Sequence, residues 1–262
     1  MTMIAHARPP SIVIPQESDV ILPRGRVILS DVTLDHLAWN EIEDSLWRSG
    51  YAKLPSILTP AECAGLIALY AQPELFRSRI EMARYRFGVG DYQYFHYPLP
   101  DVVRDLREHT YAPLAAIANR WMEALGDPAR FPGELARFTT QCHHTGQRKA
   151  TPLLLHYEAG GYNCLHQDLY GDIAFPLQLV CFLSEPDADY TGGDFLLVEQ
   201  RPRAQSIGHA IHARRGEAAV FTTRYRPVKG ARGFYRANIK HGVSPILSGT
   251  RYTLGIIYHD AH

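Results

Sequence analysis

From about residue 150 onward the chain is a succession of short apolar runs, none longer than one strand needs. "TPLLLHYEAG", "FPLQLVCFLSE", "GGDFLLVEQ", "GEAAVFTT", "HGVSPIL" and "RYTLGIIYHD" are rich in β-branched, aromatic and leucine residues, and Gly, Pro, Asp or Ser closes each one. Many short strands with turns between them specify an antiparallel sandwich or barrel. The first half reads differently. Leu34, Leu37, Ile42, Leu46 and Trp47 recur at helical spacing and stop at Gly50. "YAKLPSIL" reads as a short strand. Thr59 caps the next helix, with Pro60 at its first position and Glu62 three residues after the cap. "DVVRDLREHTYAPLAAIANRWMEALG" reads as a further helical region, bent or split at Pro113. The fold class expected is therefore α+β, with helical support over residues 31–149 and a β core over 150–262. No linker-like stretch divides them, so 31–262 reads as one domain, preceded by an extension over 1–30 that wraps the surface or adds an edge strand.

Within the β half, "YNCLHQDLYGD" holds His166 and Asp168 two positions apart. If 165–169 is a strand, both side chains project on one face, because side chains alternate with period two. An imidazole beside a carboxylate fills two positions on one metal ion. His241, about 75 residues on and placed at the start of a strand, offers a third. Two histidines and one carboxylate with open positions remaining form the facial triad of non-haem Fe(II) oxygenases. Ten residues past His241, Arg251 opens the next strand after the turn "LSGT" and shares a face with Thr253. A guanidinium with a hydroxyl beside it is a fitting seat for a carboxylate.

An H-x-D pair, a distal His and an Arg ten residues later resemble the 2-oxoglutarate/Fe(II)-dependent dioxygenases. "YEAGGYNCLHQD", "TGGDF" and "RGEAAVF" are similar to the prolyl-hydroxylase-like branch, over about residues 150–260. In more detail the chain resembles a bacterial group held to demethylate damaged nucleobases oxidatively. The resemblance implies a double-stranded β-helix, a jelly roll with the iron inside one mouth. It implies that His166, Asp168 and His241 bind Fe(II), and that Arg251, with Thr253 assisting, receives the C5 carboxylate of 2-oxoglutarate. Tyr157 stands where related enzymes turn a tyrosine hydroxyl toward the cosubstrate, and it is equally readable as a core aromatic. Gln178, polar inside "FPLQLVCFL", lines that pocket or makes a routine buried hydrogen bond. Dioxygen is the second cosubstrate, and ascorbate would keep the iron reduced.

Two stretches interleave arginines with aromatics. One is "RSRIEMARYRFGVGDYQYFHY". The other, "TTRYRPVKGARGFYRANIK", leads directly into His241 and supplies Arg224, Arg226 and Arg232 as candidate substrate contacts. Such patterns suit phosphates and stacked bases. They also suit an ordinary solvated strand pair, and with 27 basic and 27 acidic residues the chain has no global pull on nucleic acid. The remaining histidines read as bystanders. His143 and His144 would point to opposite faces of a strand, His209 and His212 lie in a Gly- and Arg-rich loop, and His259 and His262 belong to a tail. Four cysteines without a C-x-x-C pair, no secretion signal and no run of transmembrane length place the chain as soluble and cytoplasmic, off the membrane. The expected function is hydroxylation or oxidative demethylation of a substrate such as an alkylated nucleobase. The alternatives are a hydroxylase of an amino acid, small metabolite or protein side chain, and a non-catalytic sensor of 2-oxoglutarate or metal. Oligomeric state is left open.

Overall fold

Gly50 stops the first helix as its position requires. α1 (Trp39–Ser49) closes on this residue, which takes φ 77° and donates its N–H to the Leu46 carbonyl. α2 (Pro60–Leu69) starts on a complete capping box. The Thr59 hydroxyl accepts from the Glu62 N–H at 3.2 Å, and the Glu62 carboxylate accepts from the Thr59 N–H at 2.6 Å. The structure, a computed structural model, describes residue 34 and residues 37–168 and 171–262. The extension expected over 1–30 lies outside the described residues.

α3 (Asp101–Ala124) runs unbroken through Pro113 rather than splitting there. The carbonyl freed by the proline belongs to His109, an exposed residue, so water can satisfy it. α4 (Leu135–His144) has no counterpart in the expectations. Its buried stripe is only Phe138 and Cys142, four residues apart, which leaves little periodicity to read. His143 and His144 therefore sit in a last helical turn and not on a strand.

The described strands form two antiparallel sheets. The larger runs β1 (Tyr51–Leu54), β11 (Ala218–Thr222), β7 (Leu177–Phe182), β14 (Ile246–Ile256), β5 (Leu153–Glu158), β4 (Asp91–Phe95), β2 (Phe76–Glu81), with β8 (Tyr190–Gly192) also on β14. The smaller runs β10 (Ile207–Ile211), β9 (Phe195–Gln200), β13 (Gly233–Val243), β6 (Tyr162–His166), β3 (Gly88–Val89), with β12 (Tyr225–Gly230) also on β13. One hydrophobic cluster joins helices to the larger sheet, including Leu46, Leu66, Leu106, Trp121, Phe175 and Leu254. A second fills the space between the sheets with Tyr157, Phe182, Phe195, Phe221, Ile239 and Val243. β7 is covered on both faces by these two layers. All six of its residues are buried, which is why it reads as a continuous apolar run. This is the double-stranded β-helix expected, with helices packed on one sheet.

The C-terminus is not a loose tail. Asp260 is fully buried and holds Arg107 of α3 at 2.8 Å, the Tyr97 hydroxyl at 3.0 Å and His143 Nε2 at 2.9 Å. His259, also fully buried, accepts the Phe175 N–H at 3.1 Å. A charge partner inside α3 pulls these residues into the core. His209 lies on β10 with its ring against Tyr51, whereas His212 is solvated as expected and pairs with Asp194. The four cysteines are free, and no helix among the described residues is long and apolar enough to cross a membrane.

Candidate metal and cosubstrate site

β6 and β13 are neighbours, and their register sets His166 directly across from His241. His241 lies near the end of β13, not at a strand start, because the hairpin before it is one long antiparallel pair. Just past it the ladder slips at Gly242. A Cβ there would stand 2.6 Å from the Asn163 carbonyl oxygen, so the close approach of the two strands requires glycine.

β6 ends at His166, which corrects the expectation of a strand over 165–169. Asp168 is beyond the sheet. The turn is pinned by Gln167, whose amide donates to the carbonyls of Arg224 at 2.8 Å and Ile239 at 2.9 Å. The ligand-type atoms of His166, Asp168 and His241 consequently lie within 4.8 Å of one another. Asp168 Oδ1 is 3.4 Å from His166 Nε2, and Oδ2 is 3.1 Å from His241 Nε2. The Gln178 amide donates to Oδ2 at 2.9 Å. Gln178 thus lines the pocket and makes a buried hydrogen bond at once, the bond going to a member of the triad.

Burial by itself would raise the Asp168 carboxyl, but the charge of His241 and hydrogen bonds from both histidines hold it well below its usual value. Burial lowers His241 and outweighs the attraction of Asp168. For His166 burial also acts downward, but the hydrogen bond with Asp168 prevails and raises it. His166 Nδ1 lies 2.8 Å from the Cys164 carbonyl, and a proton donated there leaves the Nε2 lone pair for a metal. An ionised carboxylate with two imidazoles is the donor set that Fe(II) takes with positions to spare, so the residues present fit that ion.

Arg251 is in the middle of β14, paired with Tyr157 of β5, rather than at a strand start. The run "LSGT" is itself strand, held against β8 across an irregular register. Arg251 is 1 % exposed, yet its Nε and Nη1 have no hydrogen-bond partner among the described residues. Its guanidinium lies 5.7 Å from the ring centroids of Tyr157, Phe182 and Tyr190. A buried, unpaired guanidinium is costly, and a ligand carboxylate removes the cost. Thr253, two residues on and buried, shares its face. Tyr157 is fully buried, its hydroxyl accepting from Asn163 at 3.4 Å, and burial pushes its pKa up so that it stays a neutral donor. A cavity of about 400 Å³ is lined by His166, Asp168, His241, Gln178, Arg251, Thr253 and Tyr157, together with Leu155, Val180 and Phe221.

The arginine block before His241 does not act as a unit. Arg224 is exposed and lies next to the Gln167 turn. Arg226 is buried and committed to Glu199, with Nε at 2.7 Å, and to the Trp47 carbonyl at 2.8 Å. Arg232 sits in the β12–β13 turn, nine residues of strand from His241. At ~3.3 Å per residue that is about 30 Å away. Neither Arg226 nor Arg232 lines the cavity that holds the His166–Asp168–His241 cluster. The stretch that does reach the cavity is the other one. Arg86 and Phe87 line its rim, and Tyr92 and Tyr94 its wall. Their interleaving was visible in the sequence, but nothing there placed them.

Residues 90–261 match the model of the Oxygenase-NA family, described as an oxygenase catalysing oxidative methylation of damaged DNA. The chain belongs to this family. Similar uncharacterised proteins occur in Mycobacterium tuberculosis, in strains CDC 1551 / Oshkosh and H37Rv. Each is 49 % identical over 167 residues, covering 64 % of this chain and 72 % of the relative. The fold of this oxygenase is similar to that of a Pseudomonas putida prolyl-4-hydroxylase, with TM-score 0.50, 15 % identity, and 86 % of this chain and 99 % of that one covered. It is also similar to the epimerase SnoN from nogalamycin biosynthesis, in complex with Fe3+, alpha ketoglutarate and nogalamycin RO. Here the TM-score is 0.50 and the identity 15 %, covering 85 % of this chain and 84 % of that one. The His166–Asp168–His241 cluster stands inside this shared fold.

Proposed function

We propose that this oxygenase removes N-methyl groups oxidatively from damaged nucleobases. The observation that carries the chemistry is the convergence, in one cavity, of the His166–Asp168–His241 cluster with a buried guanidinium that lacks a partner. His166, Asp168 and His241 hold the iron. Arg251 takes the C5 carboxylate of 2-oxoglutarate, with the Thr253 hydroxyl beside it and the neutral Tyr157 hydroxyl as a further donor. Gln178 orients Asp168 through its hydrogen bond to Oδ2. When bound, the iron supplies the oxidative decarboxylation of 2-oxoglutarate to succinate and CO2 and the transfer of one oxygen atom to a substrate C–H bond. Oxygen insertion at an N-methyl carbon gives N–CH2OH, which releases formaldehyde and restores N–H. Such a reaction takes a methyl group away. The apolar walls of Leu155, Val180 and Phe221 exclude water from the reacting carbon.

The nucleobase as substrate rests on the family's description, and the exposed arginine and aromatic residues at the rim suit it. The test is turnover with Fe(II), 2-oxoglutarate and ascorbate on a single-stranded oligonucleotide, plain or carrying 1-methyladenine. The expected result is methyl-dependent succinate with an equal amount of formaldehyde. Succinate without formaldehyde, stimulated instead by an amino acid, a metabolite or a peptide, would make the enzyme a hydroxylase of that compound. Absence of succinate under every condition would leave a sensor.

A further inference from the structure

At the mouth of the cavity a short 3-10 turn, Met82–Tyr85, leads into β3 through Arg86 and Phe87. Tyr85 and Phe87 stack on each other, ring centroids 5.5 Å apart and planes 21° from parallel. Yet they are 56 % and 47 % exposed. Two large rings brought together to present a flat face to water serve no core.

The turn is fixed, and fixed to the strand that carries His166. Fully buried Met82 anchors one side, and the Phe87 N–H donates to its carbonyl at 3.1 Å. The Phe87 carbonyl accepts the Cys164 N–H at 2.8 Å, and Gly88 and Val89 pair with Asn163 and Tyr162. Gly88 lies so close to β6 that a Cβ on it would be 2.2 Å from the Tyr162 carbonyl oxygen. The Phe87 backbone is thus tied two residues from His166. Arg86 between the two rings takes φ 61°, is exposed, and forms no ion pair among the described residues. Arg86, Phe87 and the exposed Leu165 all line the cavity that contains Asp168 and Arg251.

An enzyme acting on a nucleobase must draw that base out of its stack, which strips the flanking base of one stacking partner. A rigid aromatic face beside a free guanidinium supplies a replacement, together with a contact for the adjoining phosphate. We propose that a single-stranded nucleic acid lies across the 82–87 turn, with the base flanking the reacting one stacked on the Phe87–Tyr85 pair and its phosphate on Arg86. This inference rests on the nucleobase reading above and assigns the residues that recognise the strand. It places them at the cavity that Arg86 and Phe87 line and Arg232 does not.

The test is binding of a short oligothymidylate that carries one 1-methyladenine with 2-aminopurine beside it, to the full chain loaded with Mn(II) and 2-oxoglutarate. Stacking on Phe87 quenches 2-aminopurine, so binding should darken it. Phe87→Ala should weaken binding about ten-fold or more and abolish the quench, and Phe87→Trp should keep both. Arg86→Gly suits the backbone angle and should lower the salt slope by about one. Arg232→Ala should bind as the parent does. Both rings are exposed, so the substitutions spare the core, and circular dichroism confirms the fold. Parental affinity and quench in Phe87→Ala would overturn this assignment and leave the nucleobase reading standing. Failure of the parent to bind any oligonucleotide at low salt would overturn both. Binding of a peptide, weakened by the same substitutions in place of oligonucleotide binding, would overturn both in favour of a protein substrate.

Discussion

His241 stands directly opposite His166 across the β13–β6 ladder, and the two rings are 4.2 Å apart. Neither is useful alone, because each supplies one donor to a site that needs three. His166→Ala should therefore abolish Mn(II) or Fe(II) binding, measured by calorimetry, while the thermal unfolding profile of the metal-free protein changes little. Retained metal affinity in that variant would remove His166 from the site.

Gln178 is a subtler test of the same cluster. Its amide donates to Asp168 Oδ2 at 2.9 Å from a wholly buried strand. Groups that orient metal ligands typically matter by ten- to a hundred-fold in affinity. Gln178→Leu should weaken Mn(II) binding by about that factor, and Gln178→Glu should weaken it differently because it sets a second acid beside Asp168. Unaltered metal affinity in Gln178→Leu would mean the hydrogen bond is only a packing detail.

Arg251 separates two effects of opposite sign. Its unpaired buried guanidinium costs the empty protein stability, and a bound carboxylate turns that into affinity. Arg251→Met should unfold at the same or a higher temperature without 2-oxoglutarate. It should also lose about 3 to 5 kcal/mol of 2-oxoglutarate binding while metal still binds. Unchanged 2-oxoglutarate affinity would place the cosubstrate elsewhere.

Arg226 should behave as a structural residue. Arg226→Ala leaves Glu199 buried and without its buried partner, since the other, Arg201, is partly exposed. Chemical denaturation should show a loss of about 3 to 5 kcal/mol. The salt dependence of oligonucleotide binding should stay that of the parent. A changed salt slope with unchanged stability would return Arg226 to the substrate face.

Asp91 predicts a dependence on pH. Burial acts to raise its carboxyl, but hydrogen bonds from His156 and Tyr70 and the charge of Arg79 prevail and lower it below 3.8. The folded state therefore binds this proton less readily than the unfolded one. Its contribution is complete above the ordinary carboxyl value and disappears as pH falls through the lowered folded value. Asp91→Asn should be less stable than the parent near neutrality and should lose less stability between about pH 5 and pH 3. Parallel stability curves for the two proteins would refute the linkage.

The triad was legible because its residue types are rare in a β-rich context and their order along the chain is constrained by chemistry. The offset of Arg251 from His241 was legible too, and Arg251 lines the same cavity. Strand positions were less so. Asp168 lies off the sheet because the turn after His166 is set by Gln167 reaching carbonyls on β13 and just before β12, contacts far away in sequence. Arg226 read as a surface cation because Glu199, its partner 27 residues upstream, belongs to a different strand. His259 and Asp260 read as a tail because Arg107, which draws Asp260 inward, sits in a helix 153 residues earlier. In each case a local pattern was overruled by one long-range polar pair.

β14, which carries Arg251, is laced between β5 and β7 in the middle of the larger sheet. β6, which carries His166, has only β13 on one side and the two residues of β3 on the other. Amide protons around Arg251 should therefore exchange with solvent only through rare, large openings, and those of β6 through frequent local ones. The strand proposed to anchor the cosubstrate should behave as permanent masonry, whereas the one bearing His166 should breathe. A cation bridging β6 to β13 acts as a rivet at the loose edge, and its arrival should slow exchange along β6 far more than along β14.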